Sequence, residues 1–280
     1  MNHDLHSHST ASDGTLTPAE LVRHAAAAGV DVLALTDHDL TDGLAEAHAA
    51  AREAGIGFVP GVEISAIWQG RQTVHIVGLG IDPQAAELST GLARMREFRV
   101  WRAAEIARRL QRDARIEGAL EGAQRLAGGG LIARTHFARF LVEQGRARDL
   151  RAVFRRFLVR GKPGYVPGEW AAMEEVIGWV HAAGGVSVLA HPLRYRLTAM
   201  KMAELVTDFK ACGGQALEVI SGTQNADDTG AVARLAEKLG LLASRGSDYH
   251  GPGQGGPEPG AVAPLPQHCR PVWQALAVAA

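Results

Sequence analysis

The sequence predicts an α/β barrel interrupted by a helical insertion, on three observations. Short apolar segments alternate with helical ones along most of the 280 residues, which is the rhythm of a parallel sheet wrapped by helices. Metal-binding residue types recur at the carboxyl ends of the predicted strands, the end at which parallel barrels build their sites. Between residue 83 and about residue 160, arginine-rich helical patterns replace that alternation. We therefore divide the chain into a first barrel part (1–82), an insertion (83–163) and a second barrel part (164–280).

DLHSHSTASDG, residues 4 to 14, supplies the first strand and the loop after it. Residues two apart on a strand share a face, so His6 and His8 present two imidazoles side by side. Thr17, Pro18 and Glu20 read as a capping box with proline at the first helical position, opening a helix that stops at Gly29. VDVLALTDHD (30 to 39) is a buried strand, DGLAEAHAAAREAG a helix ended by Gly55, and IGFVPGVEIS (56 to 65) a further strand. IWQ and TVHIVGL flank Gly70, Arg71 and Gln72 as a hairpin excursion. LARMREFRVWRAAEIARRLQRDA and FARFLVEQG are the helical patterns of the insertion. The alternation then resumes with helix 171–183, strand VSVLAH, helix 198–212, strand ALEVIS, helix 225–239 and strand LLASRGSD. RPVWQALAV (270 to 278) closes the pattern as a helix or a strand, after a Gly/Pro-rich loop.

Composition narrows the chemistry. A net charge of −1 gives no global pull on long polyanions, so a nucleic-acid ligand must be small, single-stranded or gripped locally. Cys212 and Cys269 are too few for a disulfide scaffold or a thiolate zinc site, which leaves His, Asp and Glu as metal ligands and a cytoplasmic location as the expectation. No apolar run approaches the length of a membrane helix, and no cationic leader with an apolar run opens the chain. His6, His8, His38, Glu63, His191, Asp248 and His250 all fall at predicted strand ends, and His75 and Asp13 lie within reach of the same mouth. Taken singly, each has a plain structural explanation: Asp13 and Asp39 suit helix caps, and Glu63 suits an ion pair. Taken together, nine such residues at one end of a barrel point to a metal site.

The motifs DLHSHST-x-SDG, LTDHD, PGVEIS, HIVG, AHP and SDYH resemble those of the polymerase and histidinol phosphatase (PHP) family of metal hydrolases. The resemblance implies a distorted (β/α)7 barrel of the PHP type, phosphoester hydrolysis, and two or three divalent ions, Mn²⁺ first, with Zn²⁺ or Fe as alternatives. It also implies a division of ligands: His6, His8 and Asp248 on a first metal, Glu63 bridging to a second held by His75 and His191, and Asp13, His38 and His250 at a third. In a two-metal form, Asp13 and His38 would instead serve proton transfer, so Glu63, Asp13, His38 and Asp248 are the residues expected to carry catalysis. A carboxylate shared by two cations leaves a site for hydroxide, which would attack phosphorus in line.

IARTHFARFLVEQG (132 to 145) and LVRGKPGYVPGEW (158 to 170) are similar to the PHP phosphoesterases known as RNase AM or 3',5'-nucleotide bisphosphate phosphatase. That resemblance implies removal of the 3'-phosphate from substrates such as adenosine 3',5'-bisphosphate, and 5'-to-3' trimming of short 5'-phosphorylated single-stranded RNA. Arg134 at a helix start, His136, Lys162 and Arg194 are then the expected phosphate contacts. Arg94, Arg96, Arg108, Arg109 and Arg112 read as a solvated helix face, and Tyr165 or residues 220–225 as weaker contacts to ribose or base. Three other readings stay open: a histidinol-phosphate phosphatase, a non-catalytic PHP module, and an amidohydrolase acting on a C–N bond. No membrane and no obligate protein partner is expected.

Overall fold

The computed structural model describes residues 1–222 and 224–276. Its barrel is built from β1 (His3–Asp4), β2 (Val32–Leu35), β3 (Gly57–Trp68), β4 (Gln72–Leu79), β6 (Val186–Leu189), β7 (Ala216–Ser221) and β8 (Leu242–Gly246), hydrogen-bonded in that order. The ring closes where the chain's two ends meet: Leu5 N–H donates to Arg245 O (3.0 Å), Asp248 N–H to His6 O (2.8 Å) and His8 N–H to Tyr249 O (2.9 Å). The two-residue β5 (Ala171–Ala172) adds only to the far end of β3.

Helices α1 (Pro18–Ala27) and α2 (Leu44–Ala54) follow the first two strands. The Thr17/Glu20 capping box forms in both directions, and Gly55 caps α2 in the left-handed conformation (φ 69°) that costs glycine little. Helices α7 (Met173–Ala182), α8 (Ala199–Ala211) and α9 (Ala226–Lys238) cover the second half. The main core lies between helices and sheet, with Leu21, Val62, Ile64, Ile76, Val180, Phe209 and Leu217 almost wholly buried.

One expectation needs correction. The IWQ segment is not a separate strand, and the hairpin is no excursion: β3 runs unbroken for 12 residues to Trp68 and turns at Gln69 and Gly70 (φ 49° and 65°). β4 then returns through the barrel wall, antiparallel to both β3 and β6. Buried residues on both faces of β4, Val74, Ile76, Val77 and Leu79, hold it there. Glu63 therefore sits in the middle of a long strand rather than at a strand end. His75 reaches the same mouth because its strand runs the opposite way.

The segment after β4 is helical, with α3 (Ala86–Ala114), α4 (Ala119–Ala127), α5 (Arg134–Glu143), α6 (Leu150–Val153) and a π-helical turn (Phe154–Leu158). These helices share a core of their own, including Ile106, Leu110, Phe137, Leu141 and Leu158. On α3 the buried positions 88, 92, 95, 99, 102, 103, 106 and 110 follow helical spacing, and two of them are arginines, Arg99 and Arg102. A short 3₁₀ helix over Val272–Gln274 ends the described chain, so the predicted last element lies partly outside the described residues. Among the described residues no helix is long and apolar enough to cross a membrane.

Candidate metal centre

The nine sequence-selected ligands converge at one mouth of the barrel. Around Glu63, which is 1% exposed, His75 Nδ1 and His191 Nε2 lie 2.7 and 2.9 Å from Oε1, and His38 Nδ1 and His8 Nε2 lie 2.9 and 3.3 Å from Oε2. Asp248 Oδ1 is 3.4 Å from His6 Nε2 and 3.0 Å from His8 Nε2. Asp13 Oδ1 is 3.3 Å from His250 Nε2 and 3.9 Å from His38 Nε2. Three overlapping clusters result: His6, His8, Glu63 and Asp248; His38, Glu63 and His75; and His8, Asp13, His38 and His250.

Local backbone aims these side chains. His191 and Asp248, each immediately after its strand or nearly so, adopt positive φ (27° and 53°), as does Asp39 beside His38 (54°). Non-glycine residues pay for that conformation, and such strain concentrates where geometry is functional. Asp37 holds the loop after β1, accepting from Ser9 N–H and the hydroxyls of Ser9 and Ser12 at 2.5–2.8 Å. Glu218 Oε1 lies 2.9 Å from His6 Nδ1, and its Oε2 accepts from His191 N–H at 2.5 Å. With Nδ1 so occupied, His6 turns Nε2 toward the centre, the arrangement that orients metal-bound histidines.

The electrostatics follow from this crowding. Burial opposes ionisation of Glu63, Asp13 and Asp248, yet the surrounding imidazoles, and Arg194 for Asp248, hold all three carboxyls well below their usual range. Burial and neighbouring histidines push His8 down to about 3, whereas Asp13 and Asp248 outweigh burial and raise His250 to about 9. Buried His6 Nε2, His8 Nε2, Asp13 Oδ1, Glu63 Oε2 and Asp248 Oδ1 have no hydrogen-bond partner. Orphaned polar atoms at such depth are costly. Six imidazoles and three carboxylates facing one another, with no thiolate, fit divalent cations that accept mixed nitrogen and oxygen ligands.

A cavity of about 220 Å³ opens from this cage, and four arginines line it as well, Arg99, Arg102, Arg134 and Arg194. Arg134 lines it from the first turn of α5, packed over the Phe154 ring (5.6 Å), and Tyr165 lines it as well. Arg99 and Arg102 join them, both against the Trp170 ring (5.1 and 5.2 Å). Arg99 pairs with Asp39 (2.6 Å), so Asp39 is an ion-pair partner and not a helix cap. Among the described residues, Arg102 donates only to Val166 O (3.0 and 3.3 Å). Burial, then the charges of Arg134 and Arg99, depress Arg102 to about 9. A guanidinium stays protonated at neutral pH, so Arg102 is held charged at a buried position beside two other cations, where an anion would be favourable.

Of the other expected phosphate contacts, Arg194 lines the cavity and pairs with Asp248. His136 does not line it: its buried ring turns back, and Nδ1 accepts from Ala133 N–H at 3.0 Å, capping α5. Lys162 also lies elsewhere, on a separate surface hollow with Arg148, Arg155 and Arg156. Sequence reasoning passed over four supports. Arg99 and Arg102 were signalled by falling on the apolar face of α3, and Glu218 by an acid inside the apolar run ALEVIS. Thr135, whose hydroxyl donates to Asp13 Oδ2 at 2.7 Å, carried no signal of its own.

Comparison with known proteins places the geometry. The model of the PHP domain matches residues 4–158. The chain is 50% identical over 276 residues to the 3',5'-nucleoside bisphosphate phosphatase of Chromobacterium violaceum, covering 98% of this chain and 96% of that one. It is 48% identical over 252 residues to the 5'-3' exoribonuclease Rnm of Escherichia coli, covering 89% and 85%. A solved structure of an amidohydrolase from Chromobacterium violaceum, with bound sulfate and no metal, matches with a TM-score of 0.93 at 49% identity, over 98% of this chain and 95% of that one.

Proposed function

The chain belongs to the PHP domain family, and from that premise we propose that it is a metal-dependent phosphoesterase that removes the 3'-phosphate of nucleoside 3',5'-bisphosphates. The 5'-monophosphate and phosphate are the products, and the same site shortens 5'-phosphorylated RNA from its 5' end. One observation carries the reading: a single cavity is lined both by the histidine–carboxylate cage and by Arg99, Arg102 and Arg134, the first two buried and, among the described residues, only Arg99 paired with a carboxylate, that of Asp39. A substrate with two phosphates on one nucleoside matches both. The insertion, which we assign to residues 83–163, supplies Arg99, Arg102 and Arg134.

Divalent metals held by His6, His8, Asp248, Glu63, His75 and His191, with a third at Asp13, His38 and His250, would lower the pKa of water and neutralise charge on the phosphoryl oxygens. We assign Mn²⁺ to these sites, because three carboxylates beside the imidazoles suit it. The protein's own residues do the rest. Arg99, Arg102 and Arg134 bind the non-reacting 5'-phosphate, the last also offering the amides of a helix N-terminus. Tyr165 and Trp170 line the same cavity beside these arginines and are the aromatic groups available to the nucleoside. The P–O3' bond breaks as water oxygen bonds to phosphorus, and a proton must reach the 3'-oxygen. In the two-metal form we assign this proton transfer to His38 and Asp13, with the imidazole carrying the proton and the ionised Asp13, fixed by Thr135, facing it. Two free cysteines and a nucleotide substrate fit a cytoplasmic location.

The test is phosphate release from adenosine 3',5'-bisphosphate with Mn²⁺, beside 3'-AMP, 5'-AMP and histidinol phosphate. The bisphosphate should be preferred, with 5'-AMP as product. Arg134→Ala should raise its KM roughly tenfold or more, the cost of about one charge-assisted contact, and spare 3'-AMP. Preference for histidinol phosphate, or equal loss on both nucleotides, overturns the reading.

A further inference from the structure

A second cavity, of about 420 Å³, meets the first at His191 and Arg194 and at no other lining residue. It lies between the 3₁₀ turn Pro192–Tyr195 and the loop joining β7 to α9, with Ser221, Gly222, Gln224, Asn225 and Asp228 along its wall. Among the described residues, none of the insertion lines it, and none of that loop lines the first cavity. The two spaces therefore leave the metal cage in different directions. Its volume falls within the roughly 300–1,000 Å³ typical of small-molecule sites.

This second cavity is built. Ser221 is only 8% exposed, lines it, and carries a hydroxyl with no hydrogen-bond partner. Gln224 pins the loop, donating to Val219 O (2.6 Å) and Thr229 Oγ1 (2.9 Å), and the Asn225 side chain caps α9. Gly222 holds positive φ (58°), which favours glycine, and the Arg194 guanidinium lies in ordinary contact distance of it. Arg194 thus stands at the junction with one side to each space.

Chemistry supplies the occupant. Removing a 3'-phosphate and trimming RNA from a 5'-phosphate, while leaving a 5'-phosphate on the shortened chain, break the same P–O3' bond. In both, water oxygen bonds to phosphorus and the 3'-oxygen takes a proton. The substrates differ only in what else the phosphorus carries, which is nothing in the bisphosphate and the next nucleoside in RNA. With the first nucleotide in the arginine-lined cavity, that next nucleoside must leave the cage by another route. We propose that the cavity behind His191 and Arg194 is the downstream subsite, which takes the ribose and base 3' to the scissile phosphate. The proposal rests on the function proposed above and names the RNA side of it.

Kinetics of the Mn²⁺-loaded enzyme on adenosine 3',5'-bisphosphate and on the 5'-phosphorylated dinucleotide pApA test this. Asp228 is exposed on the cavity rim, so Asp228→Trp narrows the cavity without entering the core. It should raise KM for pApA about tenfold while kcat/KM for the bisphosphate stays within about twofold. Ser221→Val, which deletes the orphaned hydroxyl, should raise KM for pApA by roughly threefold with the same bisphosphate rate. Unchanged pApA kinetics in both variants, or parallel losses on both substrates, overturn the subsite and leave the phosphatase reading standing. A wild-type enzyme inert on the bisphosphate overturns both.

Discussion

His136 shows how one residue can leave the chemistry and still govern the site. Its Nδ1 accepts from Ala133 N–H, so the ring must be neutral, and burial lowers its pKa to about 4. The unfolded chain takes up this proton near pH 6.5 and the folded one only near 4, so stability from this group is complete above 6.5 and falls as pH drops between those values. Between pH 7 and 5 the loss should be about 2 kcal/mol. His136→Asn keeps an acceptor and removes the titration. Urea unfolding of the metal-free variant should therefore lose about 2 kcal/mol less over that range than wild type; equal slopes would disprove the assignment. The same residue marks where sequence stops informing. His136 and Lys162 were picked for residue type and motif, and type does not say which way a side chain points from its helix or loop. The nine ligands were legible because barrel geometry forces positions near one mouth to converge. Arg99 and Arg102 lie within a run of seven arginines on one helix, and only packing separates the two buried ones from the solvated rest.

At the scale of elements, α5 is the part that couples insertion to cage. Its first turn presents Arg134 to the cavity and Thr135 to Asp13, and Arg139 donates to Asp13 O at 2.6 Å. That placement depends on α4, which comes close enough for a Cβ on Gly122 to stand 2.1 Å from the Phe140 ring. Gly122→Val should cost about 1–3 kcal/mol through overpacking, read as a lower urea midpoint, and should raise KM for the bisphosphate by displacing Arg134. An unchanged midpoint would mean that the contact carries no load. Capping signals made α1 and α2 legible at their ends, whereas the β3–β4 hairpin was misread because its role is set by a partner far away. Ile76 pairs with Leu189, and nothing local in TVHIVGL announces that a second strand will arrive from residue 186.

For the molecule as a whole, a net charge of −1 conceals local concentrations of charge: carboxylates gather in the cage, and arginines line the cavity that opens from it. Metal loading should relieve the first cluster. Mn²⁺ at one hundred times its dissociation constant should add about 2.7 kcal/mol per site, or a Tm rise on the order of 5 °C, reversed by EDTA. Glu63→Gln should lose most of that shift, and a wild-type Tm indifferent to Mn²⁺ would rule out the cage as a metal site. The ring closes by pairing residues 5–8 with residues 245–249. On the ribosome, His6 and His8 emerge first and Asp248 and His250 some 240 residues later, so a nascent chain holds only fragments of the chelate. Two of the three clusters, those holding Asp248 and His250, are therefore complete only after residues 248–250 have been made and paired with residues 5–8, whereas His38, Glu63 and His75 come together from the first 75 residues alone.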